Sequence, residues 1–344
     1  MKQIAVIPHV HGVGGMVSFR AKFITGLQSR GIEITNDIQH STPDALLVIG
    51  GTRYLLSLWR AKRRGVRIVQ RLNGMNWLHR KHSTGIRHYL RSEYGNWNLN
   101  FIRTHLADHI IYQSEFSKTW WERVYGKIPV PSSVIYNGVN LDIYTPDTPS
   151  NLKPPPSSFQ LLLVEGSLMG GYELGLESAV ELVEFLNNNH RTTLGKPVEL
   201  LIAGRVSDAV QVHWQQRTSA ALRWLGLVSP ERIPEIDSAA HLLYASDINA
   251  ACPNSVIEAL ACGTPVLAFD TGALAELVTG QAGRVVAYGG DPWNLDPPDI
   301  PALATAATEI LLNQEKFRPA ARIRAEQAFG LDVMLDGYLE ALDF

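Results

Sequence analysis

Ser255, Glu258 and the amide of Asn254 are the residues whose types and spacing most directly suggest chemistry. They lie in the segment "AACPNSVIEALACGTPVLAFDTG", residues 250–272. Ser255 and Glu258 have the S-x-x-E spacing of a capping box, which predicts a helix that starts at Ser255. A helix N-terminus with spare N–H groups is also an anion site, beside which Glu258 could hold a ligand. The segment alone leaves capping and ligand binding equally open.

The residues after Glu258 predict the elements that hold it in place. Gly263 supplies a left-handed exit from the helix, and Thr264 with Pro265 prevents the helix from continuing. The run "VLAF" at residues 266–269 has the β-branched and aromatic character of a short buried strand. The segment therefore predicts a loop, a helix, a turn and a strand.

Size and composition limit the class of protein. A chain of 344 residues is too long for one ordinary core and predicts two domains. A hydrophobic content of 45% is typical of a soluble globular protein, and a net charge of −2 indicates neither a nucleic-acid binder nor an acidic tail. Cys252 and Cys262 are the two cysteines, which suit a reducing cytosol better than a disulfide framework. No run approaches the ~20 apolar residues of a membrane span, so we expect a cytoplasmic protein.

Two series of alternating strands and helices run along the chain. The first opens with the strand "QIAVIPHV", a glycine-rich turn and a long amphipathic helix, as doubly wound α/β domains do. Five prolines over residues 146–158 predict a stiff linker. The second series contains the segment "VQVHWQQRTSAALRWLG", which we predict to be one helix. The expected fold class is α/β, with two doubly wound parallel-sheet domains facing a central cleft.

Several segments, taken in this order, resemble the GT-B glycosyltransferases, and within them the large retaining family called family 4. The most specific is "YASDINAACPNSVIEALACGTPVLAFDTGALAELV"; "GGM", "ADHIIYQSEF", "VIYNGVNLDIYTP", "LLIAG" and "LGLVSPERIPEI" support it. The similarity runs over nearly the whole chain. It implies an acceptor-binding Rossmann-like domain over residues 1–148 and a donor-binding one over 149–330. The helix at about 331–344 is expected to pack back onto the first domain.

The resemblance also implies roles for particular residues. Glu258 matches the second acid of the family's paired-glutamate motif, which holds the donor ribose, and a carboxylate is a strong acceptor for two vicinal hydroxyls. Gly14 and Gly15 match the loop that closes over the donor diphosphate. The predicted donor-binding residues are Gly14, Gly15, Gly166, Arg205, Leu227, Asn254, Ser255, Val256 and Glu258, and the predicted acceptor or sugar contacts are Asn73, Arg71 and Arg91. No catalytic residue is predicted.

The sequence departs from the family at several of these positions. Eight residues before Glu258, where the family commonly has an acid for the donor sugar, stands Ala250. The loop "EGSLMGGYELG" lacks the usual arginine and lysine, and an uncompensated diphosphate in a low-dielectric cleft would cost several kcal/mol. We expect glycine amides, helix-start N–H groups and Arg205 to compensate it, although Arg205 could instead be a solvated surface residue. Asn73 replaces a frequent histidine and cannot relay a proton.

The stretch from residue 53 to residue 91 contains eleven arginines and lysines, no acid, and the aromatic residues Tyr54, Trp59, Trp77 and Tyr89. A basic surface with aromatic residues suits an anionic membrane face or a phosphorylated lipid acceptor. Nucleic-acid binding uses the same chemistry, and an ordinary solvated helix face is the simplest alternative. We expect peripheral contact with the inner face of the cytoplasmic membrane and no nucleic-acid partner.

These observations predict a retaining, metal-independent transferase that moves a sugar from a nucleotide-sugar to a glycan or lipid-linked acceptor, as in cell-envelope glycan biosynthesis. No cofactor is expected, because the nucleotide-sugar is a substrate. Two alternatives remain: a GT-B sugar-nucleotide epimerase, and a degenerate binding or scaffold protein that has lost the chemistry at Ala250. A dehydrogenase is disfavoured, because the G-x-G-x-x-G fingerprint requires a glycine where Val17 stands.

Overall fold

A computed structural model describes residues 3–10, 12, 14–38, 42–81, 85–150, 152, 157–168 and 173–344. The chain forms two compact units. The first unit contains residues Met1–Gly138 and Gly330–Phe344, and the second contains Val139–Phe329. The division therefore falls earlier in the chain than the predicted boundary at residue 148. Five residues of the predicted proline-rich linker over 146–158, namely 151 and 153–156, lie outside the described residues.

The first unit is built on a six-stranded sheet in which every paired strand is parallel to its neighbour. The strand order is β2-β1-β3-β4-β5-β6. The strands are β1 (Gln3–Ile7), β2 (Glu33–Thr35), β3 (Ala45–Ile49), β4 (Arg67–Leu72), β5 (His109–Tyr112) and β6 (Ser132–Val134). The central strand β3 is buried throughout, which explains its continuous apolar run.

The helices of the first unit connect these strands, and a further helix from the end of the chain joins them. They are α1 (Gly15–Ser29), α2 (Leu55–Arg63), α3 (Ile86–His105), α4 (Glu115–Tyr125) and, from the C-terminus, Leu331–Leu342. The rings of Phe19 and Phe23 on α1 lie 5.2 and 5.3 Å from the ring of Tyr338 on the C-terminal helix. The C-terminal helix therefore shares the apolar core of the first unit.

The second unit also has a six-stranded parallel sheet, with the order β12-β11-β10-β7-β8-β9. The strands are β7 (Phe159–Ser167), β8 (Val198–Arg205), β9 (Leu222–Gly226), β10 (Leu242–Ala245), β11 (Val266–Phe269) and β12 (Gly283–Val286). The helices are α5 (Leu174–Asn189), α6 (Arg191–Leu194), α7 (Asp208–Arg217), α8 (Ile233–Ala239), α9 (Asn254–Ala261), α10 (Leu274–Leu277), α11 (Ile300–Leu312) and α12 (Gln314–Ala328), and the C-terminal helix Leu331–Leu342 is α13. The α/β fold class with two parallel sheets is as predicted.

One predicted helix is wrong in its second half. The segment "VQVHWQQRTSAALRWLG" forms helix α7 only as far as Arg217, and residues Leu222–Gly226 form strand β9. Leu222 and Trp224 pair with Leu200 and Ile202 of β8 and pack against the apolar core. Sheet pairing therefore overrides the helical pattern in this segment.

Candidate functional site

The strand orders indicate where each unit would bind a ligand. In doubly wound sheets, ligands lie outside the carboxyl ends of the strands, at the point where the strand order reverses. That point falls between β1 and β3 in the first unit, and between β7 and β10 in the second. The residues that follow these strands and their neighbours are therefore the first candidates.

Helix α9, which carries Glu258, begins one residue earlier than predicted. Its first residue is Asn254, and Pro253 occupies the N-cap position with an extended backbone and no side-chain capping hydrogen bond. Ser255 is therefore inside the helix, and the predicted capping box with Glu258 is wrong. The backbone N–H groups of Asn254, Ser255 and Val256 belong to the first turn, where intrahelical acceptors are missing, so the helix start is suited to an anion.

Glu258 is 8% exposed and lies near a second acid, Asp237, which is 1% exposed. Burial, and to a lesser extent the charge of Glu258, raises the pKa of Asp237 well above its usual value. Neither carboxyl oxygen of Asp237 makes a hydrogen bond to the described residues. Burial therefore favours the protonated form of the Asp237 carboxyl group.

Gly166 and Arg205 are brought together at the ends of two paired strands. Ser167, which follows Gly166, is the register partner of Arg205, and Leu168 N donates to Arg205 O at 2.9 Å. Both Gly166 and Arg205 are exposed. Leu227, directly after β9, is 48% exposed. These three predicted donor residues are therefore accessible at the carboxyl edge of the second sheet.

Glu165 is a titratable group at this edge that the sequence reasoning missed. It lies on β7, at the switch point, and its Oε1 accepts a hydrogen bond from Ser246 Oγ at 2.8 Å. Burial, followed by the charge of Asp247, raises the pKa of Glu165 well above its usual range, and the Ser246 hydrogen bond opposes this shift. A neutral carboxyl group would not repel a nearby anion as a carboxylate does.

A cavity of about 260 Å³ lies between α5, the end of β10 and residues 288–298. Its lining includes Glu177, Glu181, Asp247 and Asp296, with Tyr244 and Ser178 hydrogen-bonded to each other at 2.9 Å. None of the predicted donor-binding residues lines it. It is also smaller than the roughly 300–1,000 Å³ of pockets that enclose drug-sized ligands. We therefore do not assign it to the donor.

In the first unit, Arg71 and Asn73 belong to one hydrogen-bonded cluster. Arg71 is 1% exposed, and its Nη1 donates to Asn73 Oδ1 at 2.5 Å. Its Nη2 donates to Gln113 Oε1 at 2.9 Å and to Asn137 Oδ1 at 2.8 Å. The guanidinium also stacks over the ring of Phe19, with 4.0 Å from Cζ to the ring centroid. The cluster holds the guanidinium of Arg71 inside the first unit. It also fixes the half-buried Asn73 beside the carboxyl edge of the first sheet.

The other predicted residues of the first unit are exposed. Gly14 is the N-cap of α1 with φ 132°, a value that favours glycine, and Gly15 is the first residue of that helix. Arg91 is exposed on α3. The structure does not link Arg91 to the Arg71–Asn73 cluster by any hydrogen bond among the described residues.

The described residues contain no group of three or more histidine, cysteine, aspartate or glutamate residues arranged to hold a metal ion. Within the same ranges, every helix is too short or too polar to cross a membrane.

Gln113, Asn137 and Trp121 are further residues of the first site that the sequence reasoning missed. Gln113 directly follows β5, so a polar residue at a strand's carboxyl end was the available signal. Asn137 comes from the loop after β6, and Trp121 from α4. Their convergence depends on the strand order, which the sequence did not provide.

Comparison with protein families assigns the two halves of the chain. The model described as "Glycosyltransferase Family 4" matches residues 3–143, and the model described as "Glycosyl transferases group 1" matches residues 171–313. Together with the two parallel sheets, these matches define a glycosyltransferase of the GT-B fold class. The family 4 match lies almost entirely in the first unit, and the group 1 match lies in the second.

Individual relatives agree with this assignment. D-inositol 3-phosphate glycosyltransferase of Gordonia bronchialis is 26% identical over 252 residues, 69% of this chain. The chain spans about half of that relative's length, 53%. Sucrose-phosphate synthase from Thermosynechococcus elongatus has a similar fold (TM-score 0.75, 18% identity, 99% of this chain and 98% of that one). So does HepE from Anabaena, solved in complex with UDP and glucose (TM-score 0.70, 15% identity, 100% of both chains).

Proposed function

We propose that this glycosyltransferase moves a sugar from a nucleotide-sugar to an acceptor hydroxyl, with retention at the anomeric carbon and without a metal ion. The observation that carries the proposal is the start of α9, where first-turn N–H groups and Glu258 occur together at the carboxyl side of the second sheet. The N–H groups suit a diphosphate, and the carboxylate suits two ribose hydroxyls.

The main catalytic task in this proposal is to stabilise the departing nucleoside diphosphate. Preorganised N–H groups and the exposed Arg205 would compensate its charge, because fixed donors need no reorganisation during the reaction. A leaving phosphate oxygen would take the proton of the acceptor hydroxyl, which removes the need for a protein base. Burial raises the pKa of Glu165 and so favours its neutral form, which is compatible with an anion at this edge.

For the acceptor, we propose a phosphorylated or lipid-linked glycan precursor of the kind used in cell-envelope biosynthesis. The relative from Gordonia bronchialis is named for D-inositol 3-phosphate, and the fold neighbour from Thermosynechococcus elongatus for sucrose phosphate. A phosphorylated acceptor also fits the exposed basic residues of the first unit.

Nucleoside diphosphate release should be measured with UDP-, GDP- and ADP-sugars, with and without acceptors. We expect acceptor-dependent release from one donor class, a product of unchanged anomeric configuration by NMR, and the same rate in EDTA. Isomerisation of the donor without an acceptor would favour the epimerase. Donor binding without any turnover would favour a scaffold protein. Loss of activity in EDTA with rescue by Mg²⁺ would contradict metal independence.

We further propose that the first unit contacts an anionic membrane through residues 53–91. Exposed apolar side chains occur on α2 and on the first half of α3, among them Trp59 at 44%, Ile86 at 77% and Leu90 at 61%. Apart from Arg80, which pairs with Glu93, seven basic residues in this range are also exposed: Arg53, Arg60, Arg63, Arg64, Lys81, Arg87 and Arg91. Arg63 stacks on Trp59, with 4.5 Å from Cζ to the ring centroid. Apolar and basic groups on one surface are what a membrane interface needs.

The remaining four basic residues are not available to such a surface. Arg71 is buried in its cluster, and the other three pair with acids outside the stretch: Lys62 with Asp108, Arg67 with Asp343 and Arg80 with Glu93. The charge that a membrane would meet is therefore smaller than the eleven residues of the sequence suggest.

Co-sedimentation with vesicles tests this contact. We expect binding to anionic but not neutral vesicles, and weaker binding in high salt, because each basic residue near the surface contributes about 1 kcal/mol and is screened. Ile86→Ser with Leu90→Ser should weaken binding, whereas Val212→Ser, at a comparably exposed site on α7, should not. Equal binding to both vesicle types, or to neither, would remove the proposal.

A further inference from the structure

The carboxamide of Asn73, the residue after strand β4, is held in one orientation. Its Oδ1 accepts hydrogen bonds from Arg71 Nη1 at 2.5 Å and from Gln113 Nε2 at 3.0 Å. Its backbone oxygen accepts a third from the indole of Trp121 at 2.8 Å. Trp121 is fully buried and Gln113 is 5% exposed, so these donors have little freedom to move. The backbone and the side chain of Asn73 are therefore both fixed.

The hydrogen-bond pattern determines which end of each amide is the oxygen. Guanidinium groups only donate, so the Gln113 atom 2.9 Å from Arg71 Nη2 must be Oε1. Gln113 Nε2 then faces two acceptors, Leu72 O at 3.0 Å and Asn73 Oδ1. Arg71 and Gln113 thus both require oxygen at Oδ1 of Asn73. The opposite orientation of Asn73 would set N–H against N–H twice.

The Nδ2 group of Asn73 is consequently the end left for other contacts. It forms no hydrogen bond with any residue in the described part of the chain, and it lies 3.2 Å from where a Cβ on Gly50 would be. Gly50 directly follows β3, next to the reversal of strand order where ligands bind in such sheets. The absence of a side chain at Gly50 keeps the space beside Nδ2 open.

We infer that Arg71 and Gln113 are positioning residues, which aim the Nδ2 hydrogens of Asn73 at an oxygen of the transferred sugar or of the acceptor. The inference rests on the proposed function. Because Oδ1 is already engaged, Asn73 acts toward the ligand as a hydrogen-bond donor only. The group that it contacts must therefore offer a lone pair, as a hydroxyl or a phosphate oxygen does.

The first test is Asn73→Asp, which keeps the shape and both accepted hydrogen bonds but replaces NH₂ with oxygen. We expect kcat/KM for transfer to fall about 10- to 100-fold, as when one positioned donor is removed from a transition state. The melting temperature should not fall, because Arg71 gains a carboxylate partner. Wild-type kcat/KM in this variant would overturn the inference.

The second test compares two isosteric changes, each at an amide that accepts from an arginine. Gln113→Glu keeps an acceptor for Arg71 but removes the donor to Asn73 Oδ1. Asn100→Asp makes the same change of NH₂ to oxygen on α3, where Asn100 Oδ1 accepts from Arg103 Nη1 at 3.3 Å, outside the Arg71–Asn73 cluster. We expect kcat to fall at least several-fold in Gln113→Glu, with the donor KM little changed, and near wild-type transfer in Asn100→Asp. Equal losses in both would indicate a structural role only.

A readout independent of activity separates this inference from the proposed function. The side-chain ¹H–¹⁵N resonances of Asn73, assigned by their loss in Asn73→Asp, should shift in Gln113→Glu and stay in place in Asn100→Asp. If the wild type transfers no sugar from any donor, the proposed function fails and this comparison alone decides whether Gln113 orients Asn73. Unshifted resonances in Gln113→Glu would refute the positioning role.

Discussion

The polar groups at the carboxyl edges of the two sheets are held in different ways. In the first unit, Asn73 is fixed by side chains from β4, from the residue after β5 and from α4. In the second unit, the candidate groups are backbone N–H groups at the start of α9, the exposed Arg205, the buried Glu258 and the half-buried Glu165. The first edge is therefore suited to one directed contact with a neutral or anionic oxygen.

The second edge is instead suited to a diffuse anion. Helix-start N–H groups bind phosphate without side-chain help, and burial raises the pKa of two of the nearby acids, Asp237 and Glu165, which favours their neutral forms. In the proposed function, Glu258 contacts the ribose. The comparison implies that changes at the second edge alter nucleotide affinity, whereas changes at the first alter turnover.

The largest expected effect at the second edge is that of Glu258→Gln. The loss of a charged acceptor should weaken nucleoside diphosphate binding by about 1–3 kcal/mol, or roughly 10- to 100-fold in Kd. The fold should persist, because α9 does not depend on a capping side chain. Calorimetric titration with the matching nucleoside diphosphate measures this change. Wild-type affinity would show that Glu258 does not contact the ribose.

Glu165→Gln tests whether burial favours the protonated form of the Glu165 carboxyl group on β7. Because its folded-state pKa lies above the ordinary value of 4.5, the folded protein keeps a proton that the unfolded chain loses as pH rises. The stabilisation from this proton is therefore fully present below pH 4.5. Above it, the free energy of unfolding falls by about 1.4 kcal/mol for each pH unit over which only the folded state keeps the proton. Denaturant unfolding from pH 4 to pH 8 should show a flatter profile in Glu165→Gln and higher stability at neutral pH.

The control for this comparison is Glu315→Gln, an exposed position on α12 of the same unit. It should leave the pH profile of unfolding unchanged. Parallel profiles for the wild type and Glu165→Gln would mean that Glu165 is ionised in the folded protein, and the contrast between the two sheet edges would lose one of its supports.

The smallest expected effect is that of Ala250→Glu. Restoring the acid that the family commonly has here should not raise transfer, because a carboxylate without a sugar partner loses solvation. Transfer rates and melting temperature measure the outcome. A large gain of transfer would show instead that the native chain is an impaired enzyme.

Much of the fold follows from the sequence. The predicted strand "VLAF" is β11, Val266–Phe269, and Gly263 follows α9 with a positive φ of 68°, as the left-handed exit requires. The errors have local physical causes. The sequence of strand β9 favours a helix, but pairing with β8 makes it a strand. Helix α9 begins after Pro253 because the proline takes the N-cap position.

The candidate site was less accessible to sequence reasoning. The spacing of residues along the chain identified α9 and Glu258, because the first-turn residues and Glu258 belong to one helix. It could not lead to the cluster of Arg71, Gln113 and Asn137, because these residues come from three strand ends that only the sheet order brings together. Nor could it show that Arg71, counted among basic surface residues, is buried.

Titration of the matching nucleoside diphosphate into Glu258→Gln and Asn73→Asp tests the division between the two edges most directly. We expect Kd to rise about 10- to 100-fold in Glu258→Gln, the range for loss of a charged hydrogen bond. In Asn73→Asp we expect an unchanged Kd together with a loss of turnover, as the division between the two edges requires. An unchanged Kd in Glu258→Gln, or a comparable rise in both variants, would contradict it.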